Sequence, residues 1–399
     1  MCVALVAGVL LTPITNAAPP ELAGRVLCGY QGWFGCPGDG SERGWVHWAR
    51  GGRMEPGFAH VDLWPDVSAL DPADRFDTGF RHPDGRMAQV FSSHRAGTVR
   101  QHFSWMREHA IDGVFLQRFA NGLRNPHVKA FNDTVLGHVR GAAREQDRVW
   151  ALMYDLSGLR SGEVARVAED WRALRSCTGD PGYLHHAGRP LVAVWGVGFS
   201  DGRAYTLDEC RALVEALHAD GVAVLLGVPT YWRSGTRDAT RDPALAGVCA
   251  AVEVLSPWTV GRYRDEASLA AYTSVQTGDV AWCRAHGVAY LPVAFPGFSW
   301  HNLKGDPPDA IPRRGGRFLW SQFAAARAAG LDAVYVAMFD EVDEATAILP
   351  CVNDPPNQPG SAFIGYEGLP SDHYLWLTGQ GRRLLRGEIG TDFPARGAP

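Results

Sequence analysis

The sequence predicts an α/β protein of the (β/α)8 TIM-type barrel class, with a long loop after its first strand. Three observations predict it. Eight short apolar, β-rich runs recur along the chain. Longer Ala/Arg/Leu patterns with helical spacing separate them. Several junctions read helix, glycine, strand, as at His286-Gly287-Val288, Ala329-Gly330-Leu331 and Asp220-Gly221-Val222. Continuous apolar runs suit strands of a parallel sheet buried on both faces, and glycine just past a helix tolerates the left-handed cap before the next strand.

Taken in order, the expected strands are 26–32, 113–119, 149–155, 190–196, 222–228, 252–258, 289–295 and 333–339. Expected helices include 99–110, 128–145, 164–175, 207–219, 267–286 and 316–329. Eight strand–helix units is the arithmetic of a (β/α)8 barrel. An open doubly wound sheet is the alternative, but no Gly-x-Gly-x-x-Gly follows the first strand to favour it. The excursion from about Trp33 to Thr98 is long for a βα loop and rich in Gly, Pro, Trp and Asp. Loops of that length in compact domains are usually functional. A ninth strand is expected within it, at 87–93.

The domain reading is a signal peptide or disordered arm over 1–20, one catalytic barrel over 21–386, and a frayed tail over 387–399. Residues Cys2 to Leu11 form an apolar run followed by a small-residue exit, without a basic start. That pattern leads to an expectation of export, to a secreted or periplasmic location, since the run is too short to span a bilayer. No later stretch reads as a membrane span. Lys+Arg 38 against Asp+Glu 43 gives a net charge of −5, which argues against a nucleic-acid partner, for which a basic field is needed. Of the eight cysteines none forms a CxxC or stands at zinc spacing from a histidine, so no metal site is assigned. Cys210, Cys249 and Cys283 read as small buried apolar residues, and Cys28 and Cys36 flank a glycine-rich loop close enough to pair.

In a barrel the reactive groups sit on loops after the strand C-termini. Here those loops carry Tyr30, Trp33, His47, Trp48, Asp62 and Trp64 after the first strand, then Gln117, Asp155 and Trp195. Tyr231, Trp258 and Trp300 follow, and the eighth strand runs into Asp340, Glu341, Asp343 and Glu344. Aromatic faces beside carboxylates and amides suit a carbohydrate, whose C–H faces pack on rings while its hydroxyls need polar partners. Each ring taken singly reads equally well as core filling. Glycosidic cleavage uses two carboxyl groups, one protonated and one ionised, and four acids within 340–344 will raise one another's pKa. In a helix, Glu341 and Glu344 at i and i+3 would share one side. A solvated acidic turn, or a calcium site, fits the same letters.

The run Phe339-Asp340-Glu341-Val342-Asp343-Glu344-Ala345-Thr346-Ala347-Ile348 resembles the Trp-Asn-Glu-Trp-His-Glu-Gly-Thr-Gln-Ile signature of glycoside hydrolase family 99. That family, grouped with family 71, contains endo-α-1,2-mannosidases and mannanases on (β/α)8 barrels, and the grouping includes proteins labelled xylosidase/arabinosidase. Residues 29–34 and 45–48 are similar to the family's Tyr-Tyr-Pro-Trp-Tyr and Gly-His-Trp segments. The resemblance implies that Glu341 takes the proton of the substrate 2-hydroxyl, which attacks the anomeric carbon with eventual retention. It implies that Glu344 protonates the leaving oxygen and later activates water, and that no cofactor is needed. Asp340 stands where the family has Asn, Asp343 where it has His and Phe339 where it has Trp, so mannose specificity is not carried over. The function expected is glycoside hydrolysis on a polysaccharide or glycan. The rivals are a non-catalytic carbohydrate-binding barrel and a metal-dependent hydrolase using the acidic cluster.

Overall fold

The computed structural model describes residues 18–396; the signal-like run Cys2 to Leu11 lies outside the described residues. Eight strand positions line a parallel sheet. They are β1 (Val26–Tyr30), β2 (Gly113–Phe119), β3 (Val149–Asp155), β4 (Arg189–Trp195), β5 (Ala223–Pro229), β6 (Val254–Trp258), β7 in two pieces (Ala289–Tyr290 and Val293–Ala294) and β8 (Val334–Val336). Each pairs with its neighbours in chain order, and β1 pairs with β8 as well as β2. One piece of β7 pairs with β6 and the other with β8, so the sheet closes on itself.

The expected seventh strand is one continuous run, and the difference has a simple cause. Pro292 lies between the two pieces and has no N–H to give to a ladder. Its carbonyl still accepts from Tyr335 N at 2.9 Å, and Leu291 N donates to Leu255 O at 2.8 Å. The closure therefore survives the interruption. β8 is shorter than expected because Met338 and Phe339 peel away to bond the segment 346–349.

The outer ring comprises α1 (Ala96–Glu108), α2 (Pro126–Gln146), α3 (Ala165–Leu174), α4 (Leu207–Ala219), α5 (Ala244–Ala250), α6 (Glu266–His286), the single turn α7 (His301–Lys304), α8 (Arg317–Ala328) and α9 (His373–Leu385). Their ends are written locally. Asn125 caps α2, Thr206 and Glu209 make a capping box on α4, and Asp265 with Ser268 does the same for α6. Gly287 ends α6 at φ 68°, in the left-handed region that the helix–glycine–strand pattern anticipated. Three helices went unread: α5 and the single turn α7 are too short to show a period, and α9 follows a loop-like stretch rich in Pro and Gly.

Within the excursion, strands Arg75–Arg81 and Met87–Phe91 form an antiparallel hairpin, so the ninth strand exists and ends two residues early. A contiguous core runs from Leu22 to Leu385. All seven described cysteines are free and buried. Cys36 does not pair with Cys28; its thiol donates to Phe91 O at 3.1 Å. The tail expected to fray is pinned as far as Arg396. Trp320 Nε1 donates to Thr391 O at 2.7 Å, Arg317 lies over the Phe393 ring, and Arg396 reaches both oxygens of Asp372 at 2.7 Å.

The bottom of the barrel hangs on Asp112, one residue before β2. Its buried carboxylate accepts from Val26 N at 2.9 Å and from Arg382 Nε and Nη2 at 2.8 and 3.0 Å. It thus ties the start of β1 to α9. Removing one partner of a buried, hydrogen-bonded ion pair strands the other. Asp112→Ala is therefore expected to lose about 3–5 kcal/mol in urea unfolding, and wild-type stability in that variant would refute the assignment.

Candidate active site

At the opposite end, the segment after β8 folds as a tight turn and not as a helix. Thr346 N and Ala347 N both bond Glu341 O, at 3.2 and 3.1 Å, and Val342 N bonds Asp340 O at 2.9 Å. Ala345 turns the chain at φ 52°. The alternative of a solvated helical first turn is thereby removed. Behind the turn, the guanidinium of buried Arg313 donates to Ala345 O and Ala347 O, both at 2.7 Å, and stacks over Tyr366 and Tyr374. In front, Asp62 N and Leu63 N donate to Val342 O. The acidic turn is held from both sides.

Asp340, expected to touch substrate, does not face the opening. It is fully buried, and its carboxylate accepts from Gln31 N at 2.7 Å and Gly32 N at 2.9 Å. It clamps the exit of β1 to the exit of β8. Burial raises its pKa to about 7, against the opposing pull of those two amides.

The two glutamates do share one place. Glu341 Oε1 accepts from Gln31 Nε2 at 2.6 Å, and its Oε2 accepts from Thr346 Oγ1 at 2.8 Å. Burial first, then the charges of Glu344 and Asp343, hold its carboxyl well above the usual range, with the two donors pulling the other way. Glu344 is pushed up to about 8, by burial and then by the charge of Asp343, with Asp155 adding to it. The Trp300 indole N–H and Lys304 pull against that shift, although the indole completes no hydrogen bond. Groups that interact so strongly release their protons as a unit. Asp343 is buried with Oδ1 unpartnered, while Oδ2 lies 3.4 Å from His47 Nδ1.

Around this pair the structure sorts the remaining candidates. Gln117, at the end of β2, donates to Tyr335 OH at 3.1 Å and leaves its own carbonyl oxygen unpartnered. Asp155, at the end of β3, accepts from Ser157 N, and burial pushes its carboxyl up to about 6. Trp195 and Trp258 stand edge to face at 5.4 Å, both half-buried. Room for Trp195 comes from β5, because a Cβ on Gly227 would sit 2.3 Å from its indole Cδ1. Trp300 is half-buried beside Glu344. His47 stacks on Trp33 with centroids 3.7 Å apart and holds φ 61°, a conformation costly for a residue with a side chain.

Other expectations fail. Tyr30 is fully buried, with its hydroxyl bonded to His102 Nδ1 at 2.8 Å. Trp48 and Trp64 are fully buried anchors of the excursion, donating to Phe91 O and Gln89 O, both at 3.0 Å. Asp62 is buried and accepts from His301 N and Asn302 N at 2.7 and 2.8 Å, which fixes α7 beside Trp300. Trp33 is half-buried, with His47 stacked on one side and Phe119 tilted against it at 5.2 Å, and what it leaves open faces a cavity away from the acidic turn. Tyr231 is half-buried but occupied by Arg237, which lies over its ring and bonds its hydroxyl. In each case a large apolar surface or a buried amide claimed the side chain first. Gln31, Thr346, Arg313 and Tyr335 were not singled out. Gln31 and Thr346 lie inside runs already noted, whereas nothing local in the sequence marks Arg313.

Asp340→Asn would leave one buried amide facing an NH2 group, and a buried donor without an acceptor costs about 1–3 kcal/mol. The carboxyl also has a sign in pH. Its folded pKa, about 7, lies above the ordinary 3.8. Its contribution is therefore full below the unfolded value and is lost as pH rises through about 7. Urea titrations at acid and alkaline pH are expected to show Asp340→Asn less stable at acid pH and less pH-dependent than wild type. Identical pH slopes would sink this reading.

No protein-family model matches the chain, and no curated protein matches it in sequence. Solved structures do match. A family GH99 endo-α-mannosidase from Bacteroides thetaiotaomicron, in complex with bis-tris propane, aligns with TM-score 0.67 at 16% identity, over 92% of this chain and 98% of that one. A second structure of the GH99 endo-α-mannosidase from that organism gives 0.66 at 15% identity, over the same shares. A glycoside hydrolase-like protein gives 0.53 at 10% identity, over 93% and 97%. At such identities the likeness is one of fold, and over nearly its whole length the chain has the same (β/α)8 architecture as these structures.

Proposed function

We propose that the chain is an exported glycoside hydrolase that cleaves glycosidic bonds in a polysaccharide or glycan. One observation carries the proposal: Glu341 and Glu344 lie close enough to couple, on a braced turn at the strand C-termini, with carboxyls held above their ordinary range. An acid must be protonated at working pH to donate to a leaving oxygen, and Glu344, near 8, meets that need. A base must be ionised and oriented: burial works against ionisation of Glu341, and the donor on each of its oxygens works for it while fixing its direction. The aromatic edges of Trp195, Trp258 and Trp300 and the free carbonyl of Gln117 suit a sugar. The likeness of fold to a GH99 endo-α-mannosidase agrees with this reading.

In the mechanism proposed, Glu341 takes the proton from the 2-hydroxyl, and that oxygen attacks the anomeric carbon. Glu344 gives its proton to the departing oxygen. Water, deprotonated by Glu344, then opens the strained intermediate, and Glu341 returns a proton to the 2-oxygen, so the anomeric configuration is retained. Export rests on the Cys2–Leu11 run; N-terminal sequencing of the mature protein from culture medium tests it.

A panel of α-mannans, arabinans, xylans and bacterial glycans is expected to yield a substrate whose product anomer matches the starting one. Glu341→Gln and Glu344→Gln should each lower kcat by about 10²–10⁴-fold. An aryl glycoside with an acidic leaving group should restore aryl release, read as kcat/KM, to Glu344→Gln but not to Glu341→Gln, with turnover of Glu344→Gln still limited by the water step that lacks its base. Retention of wild-type rates by both variants would falsify the assignment, and binding without turnover by wild type would identify a lectin-like barrel instead.

The pH profile supplies an independent check. As Glu344 loses its proton above about 8, kcat/KM is expected to fall on the alkaline side. With the activated aryl substrate that limb should be absent in Glu344→Gln. Among the described residues no three of His, Cys, Asp and Glu are grouped to hold a metal ion. Dialysis against a chelator tests the metal-dependent alternative directly, since activity lost and then restored by calcium or magnesium would support it.

A further inference from the structure

Beside the acidic turn, on the far side of the Trp33–His47 stack, lies a cavity of about 420 Å³ lined by Trp33, Arg43, His47, Phe119, Asn121 and Asn132, among others. That volume falls in the range of small-molecule sites. Its walls differ from the rest of the mouth in sign. Asp155, Asp340, Glu341, Asp343 and Glu344 crowd the strand ends, yet no carboxylate lines this cavity.

Arg43 is the residue that needs explaining. It is half-buried, with its guanidinium over the Phe131 ring at 4.8 Å. Among the described residues it has neither an ion pair nor a side-chain hydrogen bond, and Asp39 is the one charge acting on it at a distance. Asp39 is spoken for, since it accepts from Cys36 N, Ser41 N and Ser92 Oγ at 2.7–2.9 Å. Its five donors are unused by the protein and open to solvent, so an acceptor brought by a ligand can take them without displacing a protein partner.

A second feature converges on the same space. Asn125 and Val128, at the start of α2, line the cavity, and the first turn of this 21-residue helix carries no acidic residue. The amides of that turn are already capped, since Asn125 Oδ1 accepts from His127 N at 3.0 Å and Val128 N at 3.3 Å, so the helix start adds only the positive side of its dipole to this wall. Arg124 also lines the wall, held by Glu163 through Nη1 at 3.1 Å. His47 connects the cavity to the reacting groups, because it borders the cavity and approaches Asp343 at 3.4 Å.

We propose that this cavity is a subsite for an anionic substituent of the glycan, a uronate carboxylate or a sulfate ester, held by Arg43 beside the start of α2. The inference rests on the glycan-cleaving reading and names a substrate class for it: acidic rather than neutral saccharides. A planar guanidinium matches the two oxygens of a carboxylate or two of a sulfate, and Asn121 and Asn132 offer amides to neighbouring hydroxyls.

Calorimetry on the full chain tests it without requiring turnover. The probes are polyuronate hexasaccharides beside their carboxyl-reduced forms, and sulfated galactan hexasaccharides beside their desulfated forms. Wild type is expected to bind one charged probe about 10- to 100-fold more tightly than its neutralised partner, the scale of a charge-assisted hydrogen bond. Which pair shows the preference identifies the substituent. Arg43→Met should bring the ratio close to one, and Arg43→Lys, which keeps the charge but not the fork, should retain part of it. Urea midpoints confirm that both variants fold. Equal affinity for charged and neutralised probes in wild type, no binding of any charged probe, or a preference untouched in Arg43→Met each overturns the subsite. If the preference is present but no acidic glycan is ever cleaved, the subsite stands and the hydrolase reading alone falls.

Discussion

One carboxylate holds the working end of this barrel together. Asp340 leaves β8 and closes on the backbone amides of Gln31 and Gly32 as they leave β1. A closed sheet needs its first and last strands in fixed register, and here the register is fixed at the level where chemistry would occur. Gln31 repeats the join with its side chain, which donates to Glu341, the next residue after Asp340. The position of Glu341 is therefore inherited from sheet closure rather than from the loop itself. Arg313 and Asp62 then hold the turn from behind and in front, and Asp62 also fixes α7 and with it the neighbourhood of Trp300.

This division of labour explains the acidity of the mouth. Four carboxyl groups within 340–344 would repel one another if all were ionised. Asp340 turns to backbone amides, Asp343 lies 3.4 Å from His47 Nδ1, and Glu341 takes a donor on each oxygen, so the carboxyls are separated by their partners. The excursion that brings Trp48 and Trp64 into the core also packs on the acidic turn, through Asp62 N and Leu63 N on Val342 O and through His47 beside Asp343.

Much of the barrel was legible because its signals are local. Apolar runs marked the strands, with β2 and β3 matched at both ends, and glycines such as Gly287 marked where helices stop. The misses are non-local. Pro292 splits β7 where apolar patterning sees one strand, and α9 earns its helical state from packing against α8 and from Asp112. Among candidate site residues, the place of Glu341 and Glu344 at the strand C-termini could be read because a barrel puts the eighth strand's exit there. Tyr30, Trp48 and Trp64 could not be told from sugar-binding rings, since an aromatic letter does not reveal which face is covered. Arg313 lies in an unremarkable loop, and its importance arises only from what folds around it.

The seven described thiols add a different kind of consequence. None is bridged, and burial pushes each toward the protonated, unreactive form. No covalent cross-link between cysteines contributes to holding the described chain. The described fold is accordingly held by packing, hydrogen bonds and ion pairs, and each thiol serves in it as a small apolar side chain.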